Sequence, residues 1–266
     1  RMARLERIRV YPIKGLDGIE LEGARVLDGG TLAFDREFAL FDGEEVINGK
    51  RTPRVHDLRT DFDPARRELT VETPTGESAT FDLADADERE RAAAWFGDFF
   101  GANLEFRRDD DLGFVDRRSM GPSVISTGTI DEIASWFEGM TTASARRRLR
   151  ANVEVSGVPP FWEDRFVGEG SPGFEIGGVR FEGVTPCGRC VVPERDPDTG
   201  ESIEGFRERF VEHRREGFPE WADPDAFEHF YTAMLIARVP DGCRGQSLTV
   251  DDPVRVPESP QDADGT

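Results

Sequence analysis

Short strand-like runs separated by turn residues limit what this chain of 266 residues can fold into more than any other feature of its sequence. Residues 5–10 partly alternate between apolar and polar side chains, and this run stops before Pro12. Two alternating arms flank Gly177-Gly178 and predict a hairpin over residues 174–181. Further β-rich runs, bounded by Gly, Pro and Asp, cover residues 21–26, 31–41, 69–72, 152–156, 232–239 and 246–256.

Helical periodicity is found in fewer segments than strand-like alternation. Residues 85–100 place apolar side chains on one helical face, and Asp85 is suited to cap the start of this helix. The tetrad Thr129-Ile130-Asp131-Glu132 predicts a capping box, followed by apolar side chains at helical spacing as far as Met140. Residues 201–216 predict a further helix with its aromatic side chains facing inward.

Many strands with three or four helices predict an α+β, β-rich fold with barrel-like sheets rather than a doubly wound α/β fold. The glycine-rich loops that bind nucleotides in such folds do not occur in the sequence. The polar, charged stretch 107–111 predicts a domain boundary. We therefore expect a first domain over residues 2–110, a second over 111–257 and a frayed, Pro- and Asp-rich tail over 258–266.

Charge excludes several classes of partner. The chain carries 54 acidic and 34 basic residues, a formal net charge of −20, and its only lysines are Lys14 and Lys50. Such a field repels phosphate backbones and anionic lipids, so we expect neither nucleic-acid nor membrane-surface binding. An acid excess with almost no lysine is typical of adaptation to a high-salt cytoplasm.

The sequence also indicates the compartment. There is no apolar run long enough to span a membrane, and the N-terminal residues lack the apolar stretch of a signal peptide. The three cysteines argue against a disulfide scaffold and for a reducing environment. We expect a soluble cytoplasmic protein.

The segment Cys187-Gly188-Arg189-Cys190 carries the most information about chemistry. A zinc site is disfavoured because Cys243 has no neighbouring cysteine and the three histidines are scattered. A thioredoxin-like pair is disfavoured because the motif follows a hairpin and does not begin a helix. Two small core cysteines are a common arrangement, but a buried Arg189 between them would need an anionic partner. A thiolate that serves a redox metal on an anionic organic ligand fits soft sulfur beside a guanidinium.

Cationic side chains stand in or beside several predicted turns. Each of them taken alone is most simply a surface charge. The positions concerned are Lys14, Arg36, Arg51, Arg54 and Arg150.

A series of short motifs resembles the MOSC family, and in particular the branch with an N-terminal β-barrel domain that includes the mitochondrial amidoxime-reducing component and its bacterial relatives. The series begins with Tyr-Pro-Ile-Lys-Gly at 11–15, Phe-Asp-Arg-Glu-Phe at 34–38 and Arg-Ala-Asn-Val-Glu-Val at 150–155. Cys-Gly-Arg-Cys at 187–190 and Asp-Pro-Asp-Thr-Gly at 196–200 are its most specific part. The resemblance extends from about residue 4 to residue 256. It implies that the first domain is a MOSC N-terminal β-barrel-like domain and the second a MOSC β-barrel domain with a few helices.

The resemblance implies a molybdenum cofactor, with Cys190 as both metal ligand and catalytic residue. Cys187 is then a neighbour without an assigned role. Gly15 stands where close relatives have serine, and Ser119-Met120-Gly121-Pro122 replaces a hydroxyl pair that helps to hold the pterin. Arg189 lies beside the metal, and Arg51 aligns with a basic turn of the first domain. The implied cofactor-binding residues are Lys14, Gly15, Arg36, Arg51, Arg150, Asn152 and Arg189.

The function implied by the resemblance is reduction of small N-oxygenated compounds. With three cysteines and no iron–sulfur, flavin or nicotinamide motif in these residues, the electrons are expected from a separate donor protein. One alternative is a sulfur-carrier or cofactor-binding module that holds persulfide or cofactor on a cysteine, and another is a catalytically silent binder. The pyridoxal phosphate link described for some family members is disfavoured because only Lys14 and Lys50 could form a Schiff base. Trp162-Glu163-Asp164 resembles a family segment that either packs a domain joint or forms a substrate wall.

Overall fold

The computed structural model describes residues 2–116 and 120–257, so Ser119 and the predicted tail over 258–266 lie outside the described residues. The helices are α1 (Ala86–Phe100), α2 (Thr127–Ser135), α3 (Thr142–Leu149) and α4 (Phe206–Glu216). The strands of the first part of the chain are β1 (Arg4–Val10), β2 (Ile19–Leu21), β3 (Gly23–Arg25), β4 (Phe38–Asp42), β5 (Glu45–Val46), β6 (Arg59–Asp63), β7 (Glu68–Glu72), β8 (Ser78–Asp82) and β9 (Glu105–Arg108). The later strands are β10 (Ser123–Ser126), β11 (Val153–Ser156), β12 (Phe174–Ile176), β13 (Val179–Gly188), β14 (Thr232–Arg238), β15 (Ser247–Thr249) and β16 (Val254–Arg255).

The largest sheet is a curled half-barrel of eight strands in the order β16-β12-β13-β14-β10-β11-β1-β2. Its pairs are antiparallel except for β10 and β11, which are parallel and are connected through α2 and α3. Backbone hydrogen bonds from residues 3–5 to residues 251–254 bring the β16 side of the sheet against β1. The sheet therefore curls until its two sides nearly meet.

Three smaller sheets complete the fold: β5-β4-β9, β6-β7-β8 and the pair β15-β3. The helix α1 packs beside β8 and β9. The predicted α+β, β-rich class is confirmed. In the described residues, no helix is long and apolar enough to cross a membrane.

The buried apolar side chains form three clusters. One fills the half-barrel and contains Leu5 and Phe181, a second lies between β4, β6–β9 and α1, and a third lies under α2, α3 and α4. The first strand thus packs with the later part of the chain. The domain division at residue 110 remains a prediction.

Two predicted elements have boundaries that local interactions explain. Asp85 caps α1, accepting hydrogen bonds from the backbone N–H groups of Asp87 and Glu88, as predicted. The predicted capping box beginning at Thr129 is wrong, because Ser126 caps α2 by accepting from the N–H of Thr129. Ser126 lies three residues before Thr129, at the end of β10. The helix therefore begins earlier than predicted, and it also ends earlier, at Ser135 instead of Met140.

The run over residues 31–41 is a strand only from Phe38 onward. Phe34 and Arg36 have φ of 68° and 54°, in the left-handed region that strands do not use. The predicted helix over 201–216 begins only at Phe206, after Gly205 with φ of 66°. The run over 246–256 divides into β15 and β16, with Asp251 left-handed at φ 72° between them.

Candidate functional site

A cavity of about 560 Å³ brings together most of the residues that the sequence singled out. Its walls come from the turn after β1, the segments around residues 35 and 48–56, the end of α3 and the segment that follows β13. Two larger but shallower grooves, along α1 and along α4, contain none of the predicted site residues. The predicted residues in the cavity wall are Lys14, Gly15, Arg36, Arg150, Asn152, Arg189 and Cys190.

The turn at Lys14 and Gly15 is held tightly against the neighbouring loop. Gly15 has φ of 91°, and a Cβ there would lie 2.8 Å from the Cα of Asn48, so glycine is required by both conformation and space. Lys14 Nζ lies 2.6 Å from one carboxylate oxygen of Asp116, and Lys50 Nζ lies 3.2 Å from the other. The two lysines outweigh partial burial and lower the pKa of Asp116 to about 2. Both lysines of the chain therefore meet at this cavity.

Arg36 and Arg150 share the ring of Tyr11. Arg150 is the left-handed residue that ends α3, with φ of 60°. Its guanidinium lies 3.9 Å from the ring centre, and that of Arg36 lies 5.0 Å from it. Asp35 pairs with Arg36 and also accepts a hydrogen bond from the backbone N–H of Tyr11. Two non-glycine residues held in a strained conformation at one ring are typical of a functional site.

Positive charge in the cavity exceeds what the protein itself neutralises. Arg150 donates to the carbonyl of Leu16 at 2.8 Å, and desolvation together with repulsion from Arg36 lowers its pKa to about 10. Arg189 and Arg195 also line the cavity, and they donate to the carbonyls of Leu149 and Gly49. Within residues 2–116 and 120–257, none of these three arginines forms an ion pair. The cavity therefore presents unmatched cations in a chain of net charge −20.

The end of β13 carries Cys187, and the segment that follows it carries Cys190. Arg189 donates to Cys187 Sγ at 3.3 Å, so in this structure the guanidinium contacts the first cysteine of the motif. The hydroxyl of Tyr231 donates to the carbonyl of Cys190 at 3.1 Å. The side chain of Arg148 donates to the carbonyls of Pro193 and Glu194 and so ties the following turn to α3. The contact of Tyr231 with its carbonyl thus holds Cys190 in the cavity wall, where it is a free cysteine.

Among residues 2–116 and 120–257, several buried polar atoms of cavity-lining residues have no hydrogen-bond partner. They are Arg9 Nε, Tyr11 Oη, His56 Nε2 and Arg189 Nε. Buried donors without partners are costly, and native proteins leave few of them. These atoms, the unmatched arginines and a thiol suit an anionic ligand rich in hydrogen-bond acceptors.

Asn152 and Arg51 have different surroundings. The buried amide of Asn152 donates to the carbonyl of Arg9 at 3.1 Å and accepts from Ser123, so it joins β1 to β10 beside the cavity. Arg51 pairs with Asp42 at 2.7 Å and with Glu45 at 3.3 Å. The structure does not bring Arg51 into the cavity wall.

Other residues of the site were missed in the sequence. Tyr11 was visible within the Tyr-Pro-Ile-Lys-Gly motif, but nothing in the spacing indicated that two arginines would cover its ring. Arg195 and His56 are far apart in sequence, and only the folded chain brings both into the cavity wall. Trp162 packs in the half-barrel core against Phe166 and Phe174, away from the cavity lining.

Comparison with known proteins gives two family matches and one curated relative. The model of the MOSC N-terminal beta barrel domain matches residues 2–142, more than half of the chain, and the model of the MOSC domain matches residues 121–254. A protein from Oryza sativa subsp. japonica named molybdenum cofactor sulfurase is 23% identical over 245 residues, covering 75% of this chain and 29% of the relative. The chain thus spans about three tenths of the length of this relative.

Proposed function

The chain belongs to the MOSC family, with a MOSC N-terminal beta barrel domain and a MOSC domain, and from this membership we propose that it binds a molybdenum cofactor and reduces small N-oxygenated compounds. The single observation that carries the proposal is the cavity in which Cys190 and the unmatched arginines meet. A molybdopterin carries a phosphate, many hydrogen-bond acceptors and a metal that prefers sulfur ligands. The residues of the cavity fit such a group.

The roles of the residues follow from their chemistry. Cys190 would supply the protein thiolate to the metal, since soft sulfur ligands suit molybdenum better than a hydroxyl would. Arg36, Arg150 and Lys14 would hold the phosphate, because guanidinium groups bind phosphate through two parallel hydrogen bonds and a lysine adds a point charge. Gly15 would let the backbone of its turn approach the ligand.

When bound, the cofactor would supply the two-electron chemistry for cleavage of an N–O bond, and two electrons and two protons in total convert N–OH to N–H and water. The chain contributes position, sulfur ligation and a positive field. We propose that the electrons come from a separate protein through a small, transient contact, as is usual for redox encounters.

A sulfur-carrier function is the second candidate, and the name of the rice relative favours it. In that case a cysteine of the motif would hold persulfide or cofactor and pass it on. Arg189 already donates to Cys187 Sγ, which gives this thiol a cationic neighbour suited to a transferable anionic sulfur.

The experiment that tests the proposal is metal analysis and pterin fluorescence on the purified chain, followed by turnover. We expect molybdenum and pterin in equal amounts, reduction of an N-hydroxylated substrate with reduced methyl viologen, and none with NADH or NADPH alone. Cofactor without viologen activity would favour the carrier. Absence of both metal and pterin from chain expressed in cells that make the cofactor would contradict the proposal.

The two cysteines provide a matched pair of variants. We expect Cys190→Ser to abolish the viologen-driven reductase activity, because an alkoxide is a poor replacement for a thiolate at this metal. Cys187→Ser should retain a sizeable part of the activity. Steady-state rates on cofactor-loaded protein check this, and equal activity of both variants, or loss only in Cys187→Ser, would show that the ligand is misassigned.

A further inference from the structure

One corner of the cavity is built from parts of the chain that do not hold the predicted phosphate. Arg195 follows the turn after Cys190, and its Nη1 donates to the carbonyl of Gly49 at 2.6 Å. His56 also lies beside Gly49, since a Cβ at that glycine would be 3.6 Å from His56 Nε2. We define Arg195 and His56 as the Arg195–His56 corner.

The corner has hydrogen-bonding capacity that the protein does not use. Arg195 bonds a carbonyl and forms no ion pair within the described ranges 2–116 and 120–257. In the part of the chain that the structure describes, His56 Nε2 is buried and has no hydrogen-bond partner, and a Cβ added at Gly200 would lie 3.5 Å from His56 Cβ. His56 lines the cavity and therefore brings to it an imidazole with one unsatisfied nitrogen.

Charge around His56 favours an anion. Burial lowers the pKa of His56, and Arg195 and Arg150 lower it further, against a smaller opposing effect of Asp17. Repulsion from Arg59 lowers the pKa of His56 by a smaller amount. A negative group between Arg195 and His56 would relieve this repulsion and give the imidazole nitrogen a partner.

The size of the charge selects the kind of anion. The proposed function assigns Arg36, Arg150 and Lys14 to the phosphate, on the β1 side of the cavity. One guanidinium and one imidazole at the corner match a single negative charge, and a planar carboxylate fits the guanidinium fork. The short sequence separation between Cys190 and Arg195 puts the corner on the wall that carries the metal ligand.

We propose that Arg195 and His56 form a carboxylate subsite, so that the substrates of this protein are small organic molecules with a carboxylate beside the N-oxygenated group. This names the substrate class of the same site and rests on the proposed function. Arg195 is the specificity-determining residue, and His56 donates or accepts the second hydrogen bond.

Binding can be tested without turnover or cofactor. Imidazole NMR signals of the full chain are followed during titration with benzoate, with the neutral benzamide and with inorganic phosphate. Only three histidines are present, and His56→Gln assigns the signal of His56. We expect benzoate, and not benzamide, to shift the His56 signal saturably.

Matched variants locate the binding. Arg195→Gln should weaken benzoate binding about tenfold or more, since it removes a charge-assisted hydrogen bond. Arg195→Lys should recover part of the loss, and Arg66→Gln, an exposed arginine far from the cavity lining, should change nothing. An unshifted His56 signal, equal binding in Arg195→Gln, or tighter binding of phosphate than of benzoate at His56 would each overturn the proposal.

Steady-state kinetics test the same subsite by comparing a substrate that carries a carboxylate with one that does not. In cofactor-loaded protein, Arg195→Gln should raise KM for a carboxylate-bearing benzamidoxime about tenfold more than it raises KM for benzamidoxime itself. Equal effects on both substrates would overturn the carboxylate assignment. Lack of molybdenum and pterin would contradict the proposed function, while the NMR titration would still decide whether the corner binds carboxylate.

Discussion

Arg214 and Arg150 lie in two regions of the molecule, and each has its guanidinium over an aromatic ring. The charge of Arg214 is neutralised by a carboxylate of the protein, whereas that of Arg150 is not neutralised by any residue that the structure describes. The guanidinium of Arg214 lies 4.0 Å from the ring centre of Phe161, and that of Arg150 lies 3.9 Å from the ring centre of Tyr11. Arg214 is fully buried in the core and pairs with Asp164. Arg150 lines the cavity, donates to a carbonyl and has no ion pair within the part of the chain that the structure describes.

The difference separates structural arginines from those kept for a ligand. Burying a charge costs several kcal/mol, and the carboxylate of Asp164 offsets that cost inside the fold. At Arg150 the cost remains, and it appears as a pKa lowered to about 10. An unmatched cation at this point is what the proposed binding of an anionic cofactor requires.

The largest loss of stability is expected when the buried ion pair between Arg214 and Asp164 is broken. Arg214→Gln leaves Asp164 buried without its cation, which costs about 3–5 kcal/mol of unfolding free energy. Urea denaturation at neutral pH measures this loss. A loss below about 1 kcal/mol, the usual worth of an exposed ion pair, would remove the contrast between the two regions.

Glu163 extends the comparison, because it is a buried acid that forms no ion pair with any described residue. Its Oε2 accepts from the backbone N–H of Ser126, its Oε1 has no partner, and burial with repulsion from Asp164 raises its pKa to about 7. A carboxyl whose pKa is raised on folding contributes stability below its unfolded value of 4.5, and this contribution is lost as pH rises through 7.

Glu163→Gln cannot ionise and should therefore stabilise the protein above pH 7. The expected gain at pH 8 is up to about 3 kcal/mol of unfolding free energy, and it should vanish near pH 4.5. Denaturation of both proteins across this range checks the sign. A gain independent of pH would mean that Glu163 does not titrate in this window.

A smaller effect on stability per charge is expected from the charges at the outer surface. With a net charge of −20, self-repulsion opposes the folded state, and salt screens it with a Debye length of about 10 Å at 0.1 M and about 3 Å at 1 M. Tm should rise from low to molar KCl, while the loss caused by Arg214→Gln persists because its pair is buried. A flat or falling Tm would contradict the salt-adaptation hypothesis.

The sequence predicted the strand-rich class and most of the residues that line the cavity. It predicted less well where helices and strands begin and which residues contact one another. Alternation and turn residues identify β1, β7 and the hairpin of β12 and β13 because these signals are local. The cap at Ser126 was missed because Thr129-Ile130-Asp131-Glu132 fits the capping-box pattern, whereas Ser126 stands at the end of a strand. The left-handed Arg36 was hidden inside an apparently regular β-rich run.

The contacts between distant segments could not be read from one sequence. Lys14 and Lys50 meet at Asp116, and Arg195 and His56 meet beside Gly49, through folding of the whole chain. Whether an arginine has a carboxylate partner also depends on residues far away in the sequence. Nothing in the sequence around Arg150 and Arg214 distinguishes the two in this respect. Only the structure separates the arginine with a carboxylate from the one without.

The central claim is that the unmatched arginine holds an anionic molybdenum cofactor, and its most direct test is molybdenum and pterin content per chain in wild type, Arg150→Gln and the control Arg66→Gln. We expect Arg150→Gln to lose most of its cofactor, since one charge-assisted phosphate contact contributes roughly 1.5–3 kcal/mol. Its unfolding free energy without cofactor should stay within about 1 kcal/mol of wild type, because no internal ion pair is broken. Wild-type molybdenum and pterin content in Arg150→Gln would contradict the claim.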